Sequence, residues 1–102
     1  MEASISVSHR ENDSVIGVKG RFDFNIRTKF RSVVDDAINN HNPARIVLDL
    51  RMTDYIDSSG LGMLLLFRES VGKNVNIDII NCNPNVRSIL EISNFQKLFN
   101  IA

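Results

Sequence analysis

The spacing of apolar residues in the first half of the chain most constrains how it folds. Ile26, Phe30, Val33, Val34, Ala37 and Ile38 stand at i, i+4, i+7, i+8, i+11 and i+12, the 3.6-residue period of a helix with one buried side. The stretches flanking this run have a different character. "SVIGVKG" alternates apolar and polar residues from Val15 or Ile16 onward, and "RIVLDL" is a β-branched apolar run of the kind found in buried strands. A helix between two strands predicts a sheet with parallel neighbours joined by a right-handed crossover. Asp23 or Asn25 is placed to cap the helix start.

The remaining elements extend this pattern. "SISVSHR" places Ile5 and Val7 on one face, and with the polar "RENDS" and "SVIGVKG" it predicts an antiparallel hairpin. "NNHNP" ends the first helix. Ser58 to Val71 reads as a second helix, with Gly72 placed to be its left-handed C-terminal cap. "VNIDIINC" alternates as a strand, and Asn83 followed by Pro84 signals the start of another helix. "NFQKLFNIA" is expected to add a last short helix. The order is β-β-α-β-α-β-α-α. The predicted architecture is a single α/β domain over residues 1–102, with one mixed sheet of about four strands, parallel at its centre, and about four helices. In such a sheet the strand-to-helix loops "GRFDFN" and "YIDSSG" share one edge, where ligands and partners of open α/β sheets dock. That edge gathers Asp23, Asp57, Ser58 and Ser59.

Composition excludes several functions. Lys plus Arg and Asp plus Glu number 12 each in 102 residues, so overall charge points to neither nucleic acid nor an anionic membrane. Cys82 is the only cysteine and reads as a small packing residue. His9 and His41 are far apart in sequence, without partners at metal-ligand spacing, so no metal or cofactor is expected. The start "MEASISVSHREN" does not have the pattern of a signal peptide. The longest apolar run, residues 60–67, is far shorter than the roughly 20 residues needed to cross a bilayer. A soluble, cytoplasmic protein without membrane insertion is expected.

"YIDSSGLGMLLLF" is the least ordinary stretch. The plainest reading makes Asp57 or Ser58 a helix cap, which leaves Gly60 and Gly62 unexplained, since glycine in a helix costs about 1 kcal/mol relative to alanine. A nucleophile elbow needs glycine two residues before and after the serine, whereas Ile56 and Asp57 stand before Ser58 and Ser59. The dinucleotide fingerprint fails at its third glycine, where Leu65 stands. An exposed helix start of small residues allows close approach of a partner's backbone. A phosphate on a hydroxyl there adds about −1.5 to −2 charges at the positive end of the helix dipole, so the fold tolerates what a docked partner does not.

"IDSSGLG" resembles the signature of the STAS domain of bacterial anti-sigma factor antagonists, within the diagnostic passage "VLDLRMTDYIDSSGLGMLLL". The resemblance extends over essentially the whole chain, through "VKGRFDF" and the closing "NPNVRSILEISNFQKLFNI". It implies a non-enzymatic partner switch. In that family the unphosphorylated form binds an anti-sigma factor that is also a serine kinase. Phosphorylation of the serine matching Ser58 ends binding, and a PP2C-type phosphatase restores it. Related Gram-negative versions act on biofilm or motility through other partners. Ser58 is the expected acceptor and Ser59 the second candidate. The expected partner-binding residues are Asp23, Asp57, Ser59, Gly60, Leu61, Gly62, Met63 and Phe67. An alternative implied by small STAS proteins is an accessory subunit of a lipid-transporting ABC ATPase, and weak nucleotide binding is a third reading.

The chain departs from the family pattern twice. Arg21 stands where an acidic residue usually follows the glycine, within a basic group (Lys19, Arg21, Arg27, Lys29, Arg31) around Asp23. That group is either an ordinary solvated face or a patch that steers an acidic partner. Asn94 replaces a common glycine, and asparagine also tolerates left-handed backbone. Met63, Leu66 and Phe67 form a second apolar side on the helix after the motif. Either neighbouring helices cover that side or it is an exposed binding patch.

Overall fold

The computed structural model describes residues 3–102. Strands β1 (Ser4–Arg10) and β2 (Asp13–Phe22) form the expected hairpin, with Val7 opposite Ile16 and His9 opposite Ser14. The periodic run folds as helix α1 (Arg27–Asp36), entered through a 3-10 turn at Phe24–Ile26 and continued by a π-helical turn at Ala37–His41. Then follow β3 (Arg45–Asp49), β4 (Thr53–Ile56), α2 (Ser58–Val71), β5 (Asn76–Ile80), α3 (Pro84–Ile92) and β6 (Asn100–Ile101).

The sheet order is β1-β2-β3-β5-β6, with β4 also pairing β2. Among the described residues only the β1–β2 pairing is antiparallel. The sheet is therefore mixed, as expected, but among the described residues it has six strands rather than about four, and there are three α-helices rather than about four. Two segments account for the difference. β4 buries Thr53 and Ile56 but exposes Asp54 and Tyr55, so it lacks the alternation that marks a strand. "NFQKLFNIA" has its apolar Phe95 and Phe99 at helical spacing. However, Asn94 is left-handed (φ 61), and only a 3-10 turn forms at Phe95–Lys97 before β6 pairs with β5.

Register explains the core. On one face of the sheet, Ile16 of β2 aligns with Leu48 of β3 and Leu48 with Ile79 of β5, all three fully buried. Aromatic rings carry the packing outward from β2, with Phe22 against Phe30 of α1 at 5.2 Å, Phe30 against Phe67 of α2 at 5.6 Å, and Phe67 against Phe99 at 6.2 Å between ring centres. Arg45, at the start of β3, ties its two parallel neighbours β2 and β5 to it, donating to Asp13 at 2.7 Å and Asp78 at 2.9 Å. Two of the caps read from sequence, Asn83 and Gly72, differ in outcome. Asn83 accepts the Val86 N–H at 2.8 Å, with Pro84 at the first helical position. Gly72 has the expected positive φ (87°) but an extended ψ (164°), so it is not a left-handed cap. Arg68 reaches the free carbonyls there instead, donating to Gly72 and Val75.

Candidate functional site

The end of β2 and strand β4 run side by side, pairing Arg21 with Tyr55 and Phe22 with Ile56. Both lead into helical turns at the same sheet edge, and an aspartate shapes each turn. Asp23 Oδ1 accepts the Asn25 N–H at 3.0 Å, and its Oδ2 accepts from Arg21 Nε at 3.2 Å. Asp57, extended at φ −110° and ψ −174°, is the N-cap of α2 and accepts the Gly60 N–H at 2.9 Å. A carboxylate is well suited to this position because it takes up a backbone donor that the helix cannot satisfy and faces the positive end of the dipole.

The two serines differ in their surroundings. The Ser59 hydroxyl donates to Asp57 Oδ1 at 2.6 Å, and Ser59 is half-buried. Ser58, the first residue of α2, is exposed. The Ser59 hydroxyl and then the Gly60 N–H hold the Asp57 carboxyl below its usual pKa range, with a smaller contribution from Arg21. The Arg21 guanidinium also lies 4.9 Å from the centre of the Tyr55 ring, so one cation is shared among Asp23, Tyr55 and Asp57.

The glycines separate just as clearly. A Cβ on Gly60 would stand 2.3 Å from the Phe22 carbonyl oxygen and 2.7 Å from Ile56 Cγ1. Gly60 is therefore required because the first turn of α2 rests directly on the ends of β2 and β4. A Cβ on Gly62 would meet nothing within 4 Å, so no contact among the described residues accounts for that glycine.

The structure divides the expected partner-binding residues into two groups. Ser58 is exposed, and Asp57, Ser59, Leu61 and Gly62 lie partly open beside it. Asp23, Gly60, Met63 and Phe67 are buried. Met63 and Phe67 face the core against α1, so they do not form an exposed patch, and Leu66 (65 % exposed) is what remains uncovered on that side of α2. Three exposed residues not among those expected flank the same edge, namely Phe24 (59 %), Met52 (55 %) and Tyr55 (43 %). Their only signal in the sequence is a large apolar group in a short loop or strand with no buried partner position. The basic group is partly committed: Arg21 pairs with Asp23, Arg27 lies 4.3 Å from the centre of the Phe24 ring, and Arg31 reaches Asp35 at 3.9 Å.

An α/β domain with a mixed sheet and an aspartate-capped "DSSGLG" helix start at its loop edge is the arrangement seen here. The STAS domain family profile matches residues 4–102, and the chain belongs to that family, whose anti-sigma factor antagonists are non-enzymatic regulators. It is 48% identical over 88 residues to a STAS-domain containing protein of Pseudomonas aeruginosa (strain UCBPP-PA14), covering 85% of each chain. It is 29% identical over 105 residues to the anti-sigma F factor antagonist of Paenibacillus polymyxa, covering 99% of this chain and 87% of that one. The Bacillus cell fate determinant SpoIIAA in its phosphorylated form has a similar structure (TM-score 0.74, 19% identity, 97% of this chain and 91% of that one). No helix among the described residues is long and apolar enough to cross a membrane.

Proposed function

We propose that this protein is an anti-sigma factor antagonist controlled by phosphorylation of Ser58. The unphosphorylated edge binds an anti-sigma factor that is also a serine kinase. A phosphate on Ser58 ends binding, and a PP2C-type phosphatase restores it. The carrying observation is the contrast between the adjacent hydroxyls: Ser58 is open to solvent at the helix start, while Ser59 is held by Asp57. Three further points support the reading. One relative is named an anti-sigma F factor antagonist. A protein of the same fold is described in a phosphorylated form. The positive end of the α2 dipole lowers the cost of a dianion there without refolding. Gly62, open on its outer side, lets a partner's backbone come close, and the exposed Phe24, Met52 and Tyr55 supply apolar contact area.

The test is a pull-down from native lysate with Ser58→Ala and Ser58→Asp as bait, read by mass spectrometry. The alanine variant is expected to capture an anti-sigma kinase that the aspartate variant loses by at least tenfold. Equal capture by both variants, or capture of a transporter ATPase by both, defeats the proposal.

A further inference from the structure

At the opposite end of the sheet the fold brings together two histidines that are remote in sequence. His9 lies in β1 opposite Ser14 of β2. His41 closes the π-helical turn after α1, just before left-handed Asn42 (φ 44) redirects the chain. Their rings are stacked, with centres 3.4 Å apart and planes within 7°. Asp36, at the end of α1, completes the group. Its Oδ2 is 3.8 Å from His41 Nε2 and 4.0 Å from His9 Nε2. One ligand atom from each of the three residues lies within 4.8 Å of the others.

The other polar atoms of two of these side chains are held by neighbours. His9 Nδ1 is hydrogen-bonded to the hydroxyl of Ser14 at 2.8 Å, and Ser14 is 1 % exposed. Asn40 Nδ2 donates to Asp36 Oδ1 at 2.6 Å. Each contact occupies one atom of the side chain and leaves the other, Nε2 or Oδ2, directed at the shared space. This is the kind of outer-shell support that orients metal ligands.

We propose that His9, Asp36 and His41 bind a divalent transition cation of the zinc, nickel and copper class, with water completing the coordination. Two imidazoles and one carboxylate favour these ions over magnesium or calcium, which prefer all-oxygen shells. Stacked rings point their lone pairs side by side, so binding keeps the His9 ring on Ser14 and turns and shifts the His41 ring until both nitrogens would stand about 2.0–2.1 Å from the ion. The side chains are 22% (His9), 39% (His41) and 52% (Asp36) exposed, which leaves room for that rotation and for entry of the ion. The bound ion clamps β1 to the end of α1, away from the loop edge that carries Ser58, and it stabilises the folded chain by mass action.

The experiment is calorimetric titration of the untagged full chain with zinc chloride and nickel chloride, with magnesium chloride as the contrast. One transition ion per chain is expected, with no magnesium binding and a higher melting temperature at saturating zinc. His9→Ala and His41→Ala are each expected to weaken zinc binding at least tenfold, and Ser14→Ala by about 10- to 100-fold, as for a lost outer-shell partner. The two histidines are partly exposed, so circular dichroism of their variants is expected to match the parent, and these variants carry the test if Ser14→Ala does not fold. Absence of zinc and nickel binding, affinity unchanged in both histidine variants, or loss of binding in Cys82→Ser overturns the proposal.

Discussion

The Ser59 hydroxyl donates a 2.6 Å hydrogen bond to the Asp57 carboxylate, while its neighbour Ser58 lies in solvent. Adjacent residues of one type are thereby given different chemistry by the helix start. A kinase acting on Ser59 must first break a charge-assisted hydrogen bond, whereas Ser58 is reachable as it stands. With the proposed anti-sigma kinase, Ser58→Ala is expected to abolish phosphate incorporation and Ser59→Ala to retain it, as read by intact-mass spectrometry. A phosphopeptide mapping to Ser59 in the parent protein contradicts this assignment.

Asp57 makes the site sensitive to acid. Its folded pKa is depressed, chiefly by the Ser59 hydroxyl and the Gly60 N–H, so its charged form is favoured more in the folded chain than in the unfolded one. That stabilisation is fully present above the unfolded pKa and is lost as pH falls through the folded value, below the usual carboxylate range. Asp57→Ala is expected to lower stability at pH 7 by about 0.5–2 kcal/mol, as for a lost N-cap. The difference shrinks towards pH 3 in urea denaturation series. A difference independent of pH assigns the cap no ionic part.

Gly60 and Gly62 make opposite predictions. Gly60→Ala drives a methyl into the Phe22 carbonyl and Ile56, and overpacking of this kind costs about 1–3 kcal/mol or more. Gly62→Ala meets open space, and alanine's helix propensity is expected to raise stability by up to about 1 kcal/mol. Thermal melts separate the two. A stabilised Gly62→Ala that binds the partner more weakly places that glycine at the interface, and unchanged binding removes it from there.

The legibility of this protein follows the range of the forces involved. α1, α2 and α3 were readable because an amphipathic period, or an N-cap followed by proline, is written in neighbouring residues; α2 spans Ser58–Val71 as its pattern predicts. Asn94 adopts the left-handed geometry that asparagine tolerates in place of glycine. β4 was not readable. Its four residues show no alternation, and it exists because β2 offers it a parallel partner. The closing segment misled for a related reason: Phe95 and Phe99 keep helical spacing while the sheet captures Asn100 and Ile101 as a strand.

The amino-acid sequence by itself determined the α/β class, the shared loop edge and the "DSSGLG" signature, because periodicity, capping and motif spacing act over a few residues. Only the tertiary structure decided which serine is open, that Gly60 serves packing while Gly62 does not, that Met63 and Phe67 belong to the core, and that His9, Asp36 and His41 meet. Each of those outcomes depends on contacts between segments distant along the chain. Such contacts are set by how the helices and strands pack together, so no local pattern records them.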